Sequence, residues 1–169
     1  MDPYKVLGIP PHSSDVEIKE AYSKLMDTYN LNELEDDSVK LMYEEKINEA
    51  NEAFRIITDN RKLEKVRDLI ESDDFISAEA NLNLISNSQS AEWNYLKGIL
   101  LIKKGWIESG VNHIKNAVNI NPYNDEYVST INKLNQKIES FKNGSMKQNQ
   151  NSSSLCANNN NNTGKGGLC

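Results

Sequence analysis

The 169-residue sequence has little of what a disulfide-bonded or membrane-spanning protein needs. Its only two cysteines, Cys156 and Cys169, lie in a polar C-terminal segment, so a disulfide framework is not expected. Two thiolates also cannot fill a four-ligand zinc site. The longest apolar run, residues 99–102, is far shorter than the roughly 20 residues that span a bilayer. The N-terminus shows no basic start followed by an apolar stretch, as a signal peptide would. We therefore expect a cytoplasmic protein that does not insert into a membrane.

Residues that could carry catalysis or hold a cofactor are also scarce. The two histidines, His12 and His113, are far apart in sequence, and neither has a nucleophile nearby. The glycine-rich stretch 164–167 lacks the spacing and the following helix of a phosphate-binding loop, and the acidic stretch 33–37 lacks the spacing and glycine of a calcium loop. The net charge of -6 argues against nucleic acid as a partner. The sequence thus predicts no catalytic residue, metal site or cofactor, and a protein that is not an enzyme.

What the sequence does contain is helical periodicity, and no segment alternates as a half-buried strand would. One helix is predicted over residues 15–29, where a capping box of Ser14 and Glu17 begins it. A second is predicted over 39–57, with Tyr43, Ile47 and Phe54 on its apolar face. The polar, acidic stretch 30–38 reads as the loop between them. Two amphipathic helices joined by a short loop are expected to pack as an antiparallel hairpin.

This N-terminal region resembles the J-domain of DnaJ-type co-chaperones. The resemblance covers residues 1–67 and is carried by DPYKVLG at 2–8, EIKEAY at 17–22 and INEA at 47–50. It implies a J-domain-like fold and a DnaK-type chaperone as a partner. In that family a basic face on the second helix docks the chaperone, which would make Lys19 and Lys24 the docking residues here. The exposed charges of residues 17–27 are mixed, however, and sum to -1.

The family stimulates ATP hydrolysis by the chaperone through a His-Pro-Asp tripeptide after the second helix. In this sequence Asn30, Leu31 and Asn32 occupy that place. Asn30 has no imidazole, Leu31 has no ring to restrict the backbone, and Asn32 has no carboxylate for an ion pair with an arginine. The resemblance with this degenerate loop therefore predicts weak or absent stimulation of the chaperone ATPase.

Residues 62–142 are predicted to form shorter helices joined by tight turns, as in stacked helical repeats. Residues 91–124 resemble one tetratricopeptide repeat of 34 residues, with Gly98 at the helix approach, Gly105 at the turn and Pro122 at the end. Gly110 stands where the family has alanine, and glycine inside a helix costs about 1 kcal/mol. A more degenerate repeat is expected before residue 91, with residues 62–71 as its first helix. Residues 123–141 are expected to form a helix that caps the stack. The alternative is a plain helical bundle.

The repeat resemblance places a concave partner-binding groove on the first helix of each pair. Its candidate residues are Glu92, Tyr95, Ile99, Ile102 and Lys103. Such a groove binds an extended peptide or a helix. The competing interpretation is that Tyr95, Ile99 and Ile102 are core residues, and for Ile99 and Ile102 we favour the core.

Residues 143–169 contain eight asparagines, two lysines and no acidic residue, and they are expected to form a disordered Asn/Ser/Gly-rich tail. The sequence stops at Cys169, and we expect further cysteine-bearing sequence beyond it. The predicted fold is all-α, a J-domain-like hairpin followed by tetratricopeptide-like helix pairs. The predicted function is a co-chaperone or adaptor in protein folding that binds a client or partner protein. The alternative is a protein-interaction scaffold outside a chaperone cycle, tethered through a cysteine-bearing tail.

Overall fold

The computed structural model describes residues 1–30 and 36–152, with side chains to residue 143. The described residues form seven α-helices and no β-strand, which confirms the all-α prediction. No helix among them is both long enough and apolar enough to cross a membrane. The chain divides into two compact units, Met1–Tyr123 and Asn124–Cys169. The predicted site residues Leu31 and Asn32 and both cysteines lie outside the described residues.

A five-residue helix, α1 (Pro3–Leu7), opens the chain, and five residues are too few for apolar periodicity to predict it. Local chemistry defines it instead. The Asp2 carboxylate accepts a hydrogen bond from the backbone N–H of Tyr4 at 3.2 Å, and proline stands at the first helical position, where its missing N–H costs nothing. Gly8 ends the helix with a left-handed φ of 68°.

The predicted hairpin is formed by α2 (Asp15–Thr28) and the first half of α3 (Asp37–Glu71). The capping box of α2 is confirmed: the Ser14 N–H donates to Glu17 Oε2 at 2.6 Å, and the Glu17 N–H donates to Ser14 Oγ at 3.3 Å. Tyr22 on α2 stacks on Phe54 of α3, with ring centroids 4.3 Å apart. The buried core of the hairpin also holds α1 and consists of Leu7, Ile18, Ala50, Ala53 and Ile57.

The second helix does not end at residue 57, and the predicted separate helix 62–71 is its continuation. The sequence of α3 contains no glycine or proline over its 35 residues. Its apolar face changes between Ile57 and Leu63, a six-residue step that turns a helix by about one and two-thirds turns. Ile57 lies in the hairpin core, whereas Leu63, Val66 and Ile70 are buried on a different face of the same helix. The apolar periodicity is therefore interrupted between Ile57 and Leu63, although the helical backbone continues through this segment.

Three further helices complete the first unit: α4 (Phe75–Leu82), α5 (Ala91–Lys103) and α6 (Ile107–Ile120). The second half of α3 packs against α4 and α5, and α5 packs along α6. Gly98 on α5 and Gly110 on α6 face each other so closely that a Cβ on Gly110 would lie 2.7 Å from the Gly98 carbonyl oxygen. This pairwise packing is consistent with the predicted helical repeats.

The second unit contains α7 (Asp125–Ser152), which extends ten residues into the segment 143–169 that composition predicts to be disordered. Extending an existing helix gains one hydrogen bond for each residue ordered, so a polar stretch can continue a helix that it could not nucleate. The predicted capping role of residues 123–141 stays a prediction, and residues 153–169 lie outside the described part of the chain.

Candidate protein-docking site

The two lysines predicted to dock a chaperone are both exposed on α2, but they do not share a face. Lys19 and Lys24 are five residues apart, which is about 1.4 turns of helix. Lys19 borders a cleft that α2 forms with α3 and α4, and Lys24 does not. The acidic residues Glu17, Glu20 and Asp27 are exposed on the same helix. The outer side of α2 therefore carries interspersed charges of both signs and no continuous basic stripe.

The C-terminal end of α2 presents the start of the predicted degenerate loop. Tyr29 caps the helix, and its ring makes an edge contact with Tyr43 of α3 at 5.1 Å between centroids. This contact holds the end of α2 against α3, and Asn30 follows it as an exposed residue outside the helix. The position at which the J-domain family carries its histidine is thus presented to solvent, directly after a well-anchored helix end.

A buried carboxylate, which the sequence analysis missed, joins the hairpin helix to the helices that follow. The side chain of Asp59 on α3 is only 5% exposed. Its two oxygens accept hydrogen bonds from the backbone N–H groups of Ser86 and Asn87, each at 3.3 Å, and it also pairs with Arg55 at 3.4 Å and Lys62 at 3.7 Å. Asp59 thereby fastens the loop after α4 onto α3. The sequence does contain a signal that Asp59 lies on a buried face, because residue 59 precedes the apolar residues 63, 66 and 70 at helical steps of four, three and four.

Two of the predicted groove residues contact α3. Glu92 on α5 accepts a hydrogen bond from Arg67 Nη2 at 2.6 Å, and the Arg67 guanidinium lies 5.6 Å from the ring centroid of Tyr95. That distance is within the range of a cation–π interaction. Tyr95 itself is 6% exposed. The structure therefore brings Glu92 and Tyr95 together around an arginine that the sequence analysis did not single out.

The remaining groove candidates lie further along α5. Ile99 and Ile102 are half-buried, and the Ile102 side chain points at Gly110 of α6. Lys103 is exposed, and its ammonium group pairs with Asp73 at 3.0 Å in the turn between α3 and α4. Charged residues near both ends of α5 thus link this helix to α3 and to the turn that follows α3.

Two titratable groups in the second half of the unit have shifted pKa values. Hydrogen bonds from Lys104 and then from Lys97 lower the pKa of the Glu79 carboxyl, so this α4 residue stays ionised between two lysines of α5. Burial, followed by the nearby Lys97 charge, lowers the pKa of His113 on α6. Asn94 Nδ2 donates to the Ser90 carbonyl, so Asn94 Oδ1 accepts from His113 Nδ1–H at 3.1 Å. The neutral imidazole is therefore held by one hydrogen bond and by an edge contact with the ring of Trp93 on α5, with the ring centroids 5.9 Å apart.

Comparison with known proteins identifies the first part of this arrangement. Residues 2–66 match the family model of the DnaJ domain. The Chaperone protein DnaJ of Polaromonas sp. is 39% identical over 61 residues, which cover 36% of this chain and 16% of the relative. Chaperone protein DnaJ 2 of Aquifex aeolicus is 39% identical over 61 residues, covering 36% and 15%. Chaperone protein DnaJ of Fusobacterium nucleatum subsp. polymorphum is 38% identical over 63 residues, covering 36% and 16%. No solved structure matches the chain.

The family-model match confirms, at residues 2–66, the J-domain that was predicted over residues 1–67. The chain spans about a sixth of the length of each of these relatives. The match to the family model ends at residue 66, within α3. Helices α4 to α7 lie outside it, so the predicted tetratricopeptide resemblance of that region stays a prediction.

Proposed function

We propose that this chain is a J-domain co-chaperone or adaptor that docks a DnaK-type chaperone and stimulates its ATPase weakly or not at all. The observation that carries the proposal is the J-domain hairpin of α1, α2 and α3, which presents Asn30 at the solvent-exposed end of α2. The named relatives of this domain are DnaJ chaperones, which supports a co-chaperone role.

The expectation of weak stimulation follows from the residues at that end. Asparagine at position 30 has no titratable imidazole, and the following Leu31 and Asn32 supply neither a ring nor a carboxylate. Removing one partner of a buried charge pair costs about 2–5 kcal/mol at an interface. A loss of 2 kcal/mol corresponds to roughly 30-fold in affinity. The mixed charges of α2 would also steer an acidic chaperone surface poorly.

We further propose that the helices after the J-domain hold the partner protein. The pairs formed by the end of α3 with α4, and by α5 with α6, have the order of two tetratricopeptide-like repeats. On the face shared by α3 and α5, Arg67 and Glu92 are partly exposed and supply charges of both signs, whereas the Tyr95 ring is buried. A peptide could use such charges for orientation, as helical-repeat grooves do.

The alternative is a scaffold that binds proteins without any chaperone cycle. The specific observation in its favour is again the sequence Asn30-Leu31-Asn32, because a J-like fold used only for docking has no need of the family's tripeptide. Under both proposals the protein is not an enzyme.

Single-turnover ATP hydrolysis by the cognate DnaK-type chaperone tests the proposal. The reaction is measured with no addition, with this protein, and with a variant carrying Asn30→His, Leu31→Pro and Asn32→Asp. We expect little acceleration from the natural protein and several-fold acceleration from the variant, because the variant restores the missing groups on an intact hairpin. Binding of each protein to the chaperone is measured in parallel, with a DnaJ protein as the positive control.

Strong acceleration by the natural protein would contradict the inference of weak stimulation. Failure of both proteins to accelerate hydrolysis and to bind the chaperone, with unchanged thermal unfolding, would rule out the co-chaperone role and leave the scaffold.

A further inference from the structure

The change of buried face along α3 leaves a cleft in the first unit. Below residue 57 α3 is covered by α1 and α2, and beyond residue 63 it is covered by α4 and α5. Between these coverings a cavity of about 260 Å³ lies among α2, α3 and α4. Its lining comes from both halves of the chain, from Lys19 on α2 through Phe54 and Lys65 on α3 to Asn81 on α4. The cleft is therefore a consequence of joining the J-domain to the following helices through one helix.

The walls of this cleft are basic, although the chain as a whole has a net charge of -6. Four cationic side chains line it, namely Lys19, Arg61, Lys62 and Lys65, against the single carboxylate of Asp15. A local cationic excess on an acidic protein attracts negative groups to that place and not to the rest of the surface.

The four cations have different roles. Arg61 donates to the Ser13 carbonyl at 2.6 Å and pairs with Asp15 at 3.6 Å, so it holds the turn before α2 onto α3. Lys62 donates to the Leu84 carbonyl at 3.0 Å and holds the loop after α4 onto α3 in the same way. Lys19 and Lys65 are exposed, and within the part of the chain that the structure describes neither has a carboxylate partner. Arg61 and Lys62 thus hold the walls of the cleft together, whereas Lys19 and Lys65 are available to bind a ligand.

The floor between these lysines is apolar. Phe54, fixed by its stack on Tyr22, is half-buried there, with the buried Ile18 and Ile57 beside it. A ligand that matches the cleft therefore needs an apolar group between negative charges. A polypeptide segment with acidic residues around a leucine or similar side chain has that chemistry, whereas inorganic phosphate has the charge alone. The chain's own residues 143–169 contain two lysines and no acidic residue, so they do not match.

We propose that this cleft binds a short acidic segment of a partner polypeptide, which seats an apolar side chain against Phe54 and pairs its carboxylates with Lys19 and Lys65. The inference goes beyond the proposed function, since it requires no chaperone. Lys19 is also one of the two lysines predicted to dock a chaperone, but Lys65 is not.

Fluorescence anisotropy with a defined probe tests this. The probe is a fluorescein-labelled peptide of sequence Glu-Glu-Leu-Asp-Glu-Leu-Asp-Glu, and its counterpart has every acid replaced by the matching amide. The protein is compared with the double variant Lys19→Glu, Lys65→Glu. The matched control is Lys115→Glu, Lys133→Glu, which changes the net charge equally at two exposed lysines outside the cleft lining.

The cleft variant removes two charge pairs with the peptide, and charge reversal replaces their attraction by repulsion. We expect the cleft variant and the amide peptide each to weaken binding roughly tenfold, and the control variant to change it less than twofold. Raising the salt concentration should weaken binding several-fold. Thermal unfolding of each variant establishes that it is folded.

Three results would overturn the proposal. Equal weakening by both double variants would mean that net charge alone drives binding. Equal binding of the amide peptide would remove the need for carboxylates. Displacement of the peptide by inorganic phosphate, but not by sodium chloride at the same ionic strength, would make the cleft a phosphate site. None of these results depends on ATP hydrolysis, so failure here is distinguishable from failure of the co-chaperone role.

Discussion

Replacing Gly110 by alanine sets two physical effects against each other. Alanine is favoured over glycine inside a helix by about 1 kcal/mol, so helix propensity alone predicts that Gly110→Ala stabilises the protein. The packing of α5 on α6 predicts the opposite. A Cβ at position 110 would lie 2.5 Å from Ile102 Cγ1, 2.7 Å from the Gly98 carbonyl oxygen and 3.0 Å from the Ile102 backbone nitrogen. Two of those three atoms belong to the backbone of α5 and cannot rotate away.

The size of the loss follows from what must move. Carbon does not approach a carbonyl oxygen to 2.7 Å, so α5 and α6 must separate by several tenths of an ångström. The buried Ile114 of α6 lies against Gly98 of α5 and would lose contact. Overpacking of a well-packed core costs typically 1–3 kcal/mol. After subtraction of the propensity gain of about 1 kcal/mol, we expect a net loss of up to about 2 kcal/mol in the free energy of unfolding.

Chemical denaturation of the two proteins, followed by circular dichroism, measures this difference. The matched control is Asn112→Ala on the same helix, where the side chain is exposed and the propensity gain acts alone. We expect Asn112→Ala to raise stability by a few tenths of a kcal/mol. If Gly110→Ala instead raised stability by about 1 kcal/mol, the close approach of the two helices would be wrong.

Two further changes test other parts of the first unit. Asp59→Ala should lower the free energy of unfolding by about 2–4 kcal/mol, because it leaves two backbone N–H groups without their acceptor. In the same denaturation assay Glu52→Ala, which removes an exposed ion pair, should lower it by less than about 1 kcal/mol. A loss for Asp59→Ala as small as that expected for Glu52→Ala would show that the Asp59 contacts contribute little. Burial lowers the pKa of His113 below its ordinary value of about 6.5, so below that pH the unfolded chain takes up the proton more readily. The stability that depends on His113 should be complete above about pH 6.5 and should decrease as the pH falls below that value. If the His113→Gln variant showed the same pH dependence of stability as the natural protein, this expectation would be refuted.

The parts of the fold that were predicted correctly are those that local chemistry determines. The capping box of Ser14 and Glu17 needs only residues three apart, and it forms as predicted. The all-α class follows from periodicity, and the J-domain from short motifs at their expected spacing. Each of these signals depends on neighbours within one or two helical turns.

The features that escaped prediction depend on residues far apart in sequence. Asp59 is buried because loop residues 27 and 28 positions later donate to it. Arg67 was not singled out because its partners, Glu92 and Tyr95, lie on another helix. Gly110 was read as a weak point of α6, yet its missing side chain is what admits the backbone of α5. Sequence spacing shows a residue's own helix face, but the partner of that face is a property of the tertiary fold.

The continuity of α3 has a consequence for how the protein could work. From Ala50 in the hairpin core to Val66 in the following core is 16 residues, or about 24 Å of helix. Because both cores bury faces of one helix, the J-domain and the helices after it have a defined distance and angle. A flexible linker would leave both free to vary. Inserting a single residue between Ile57 and Leu63 would rotate one buried face by about 100° relative to the other. Under the proposed function, a partner held on α3 to α6 would be presented to a chaperone on α2 in one orientation, which two domains joined by a flexible linker would not achieve.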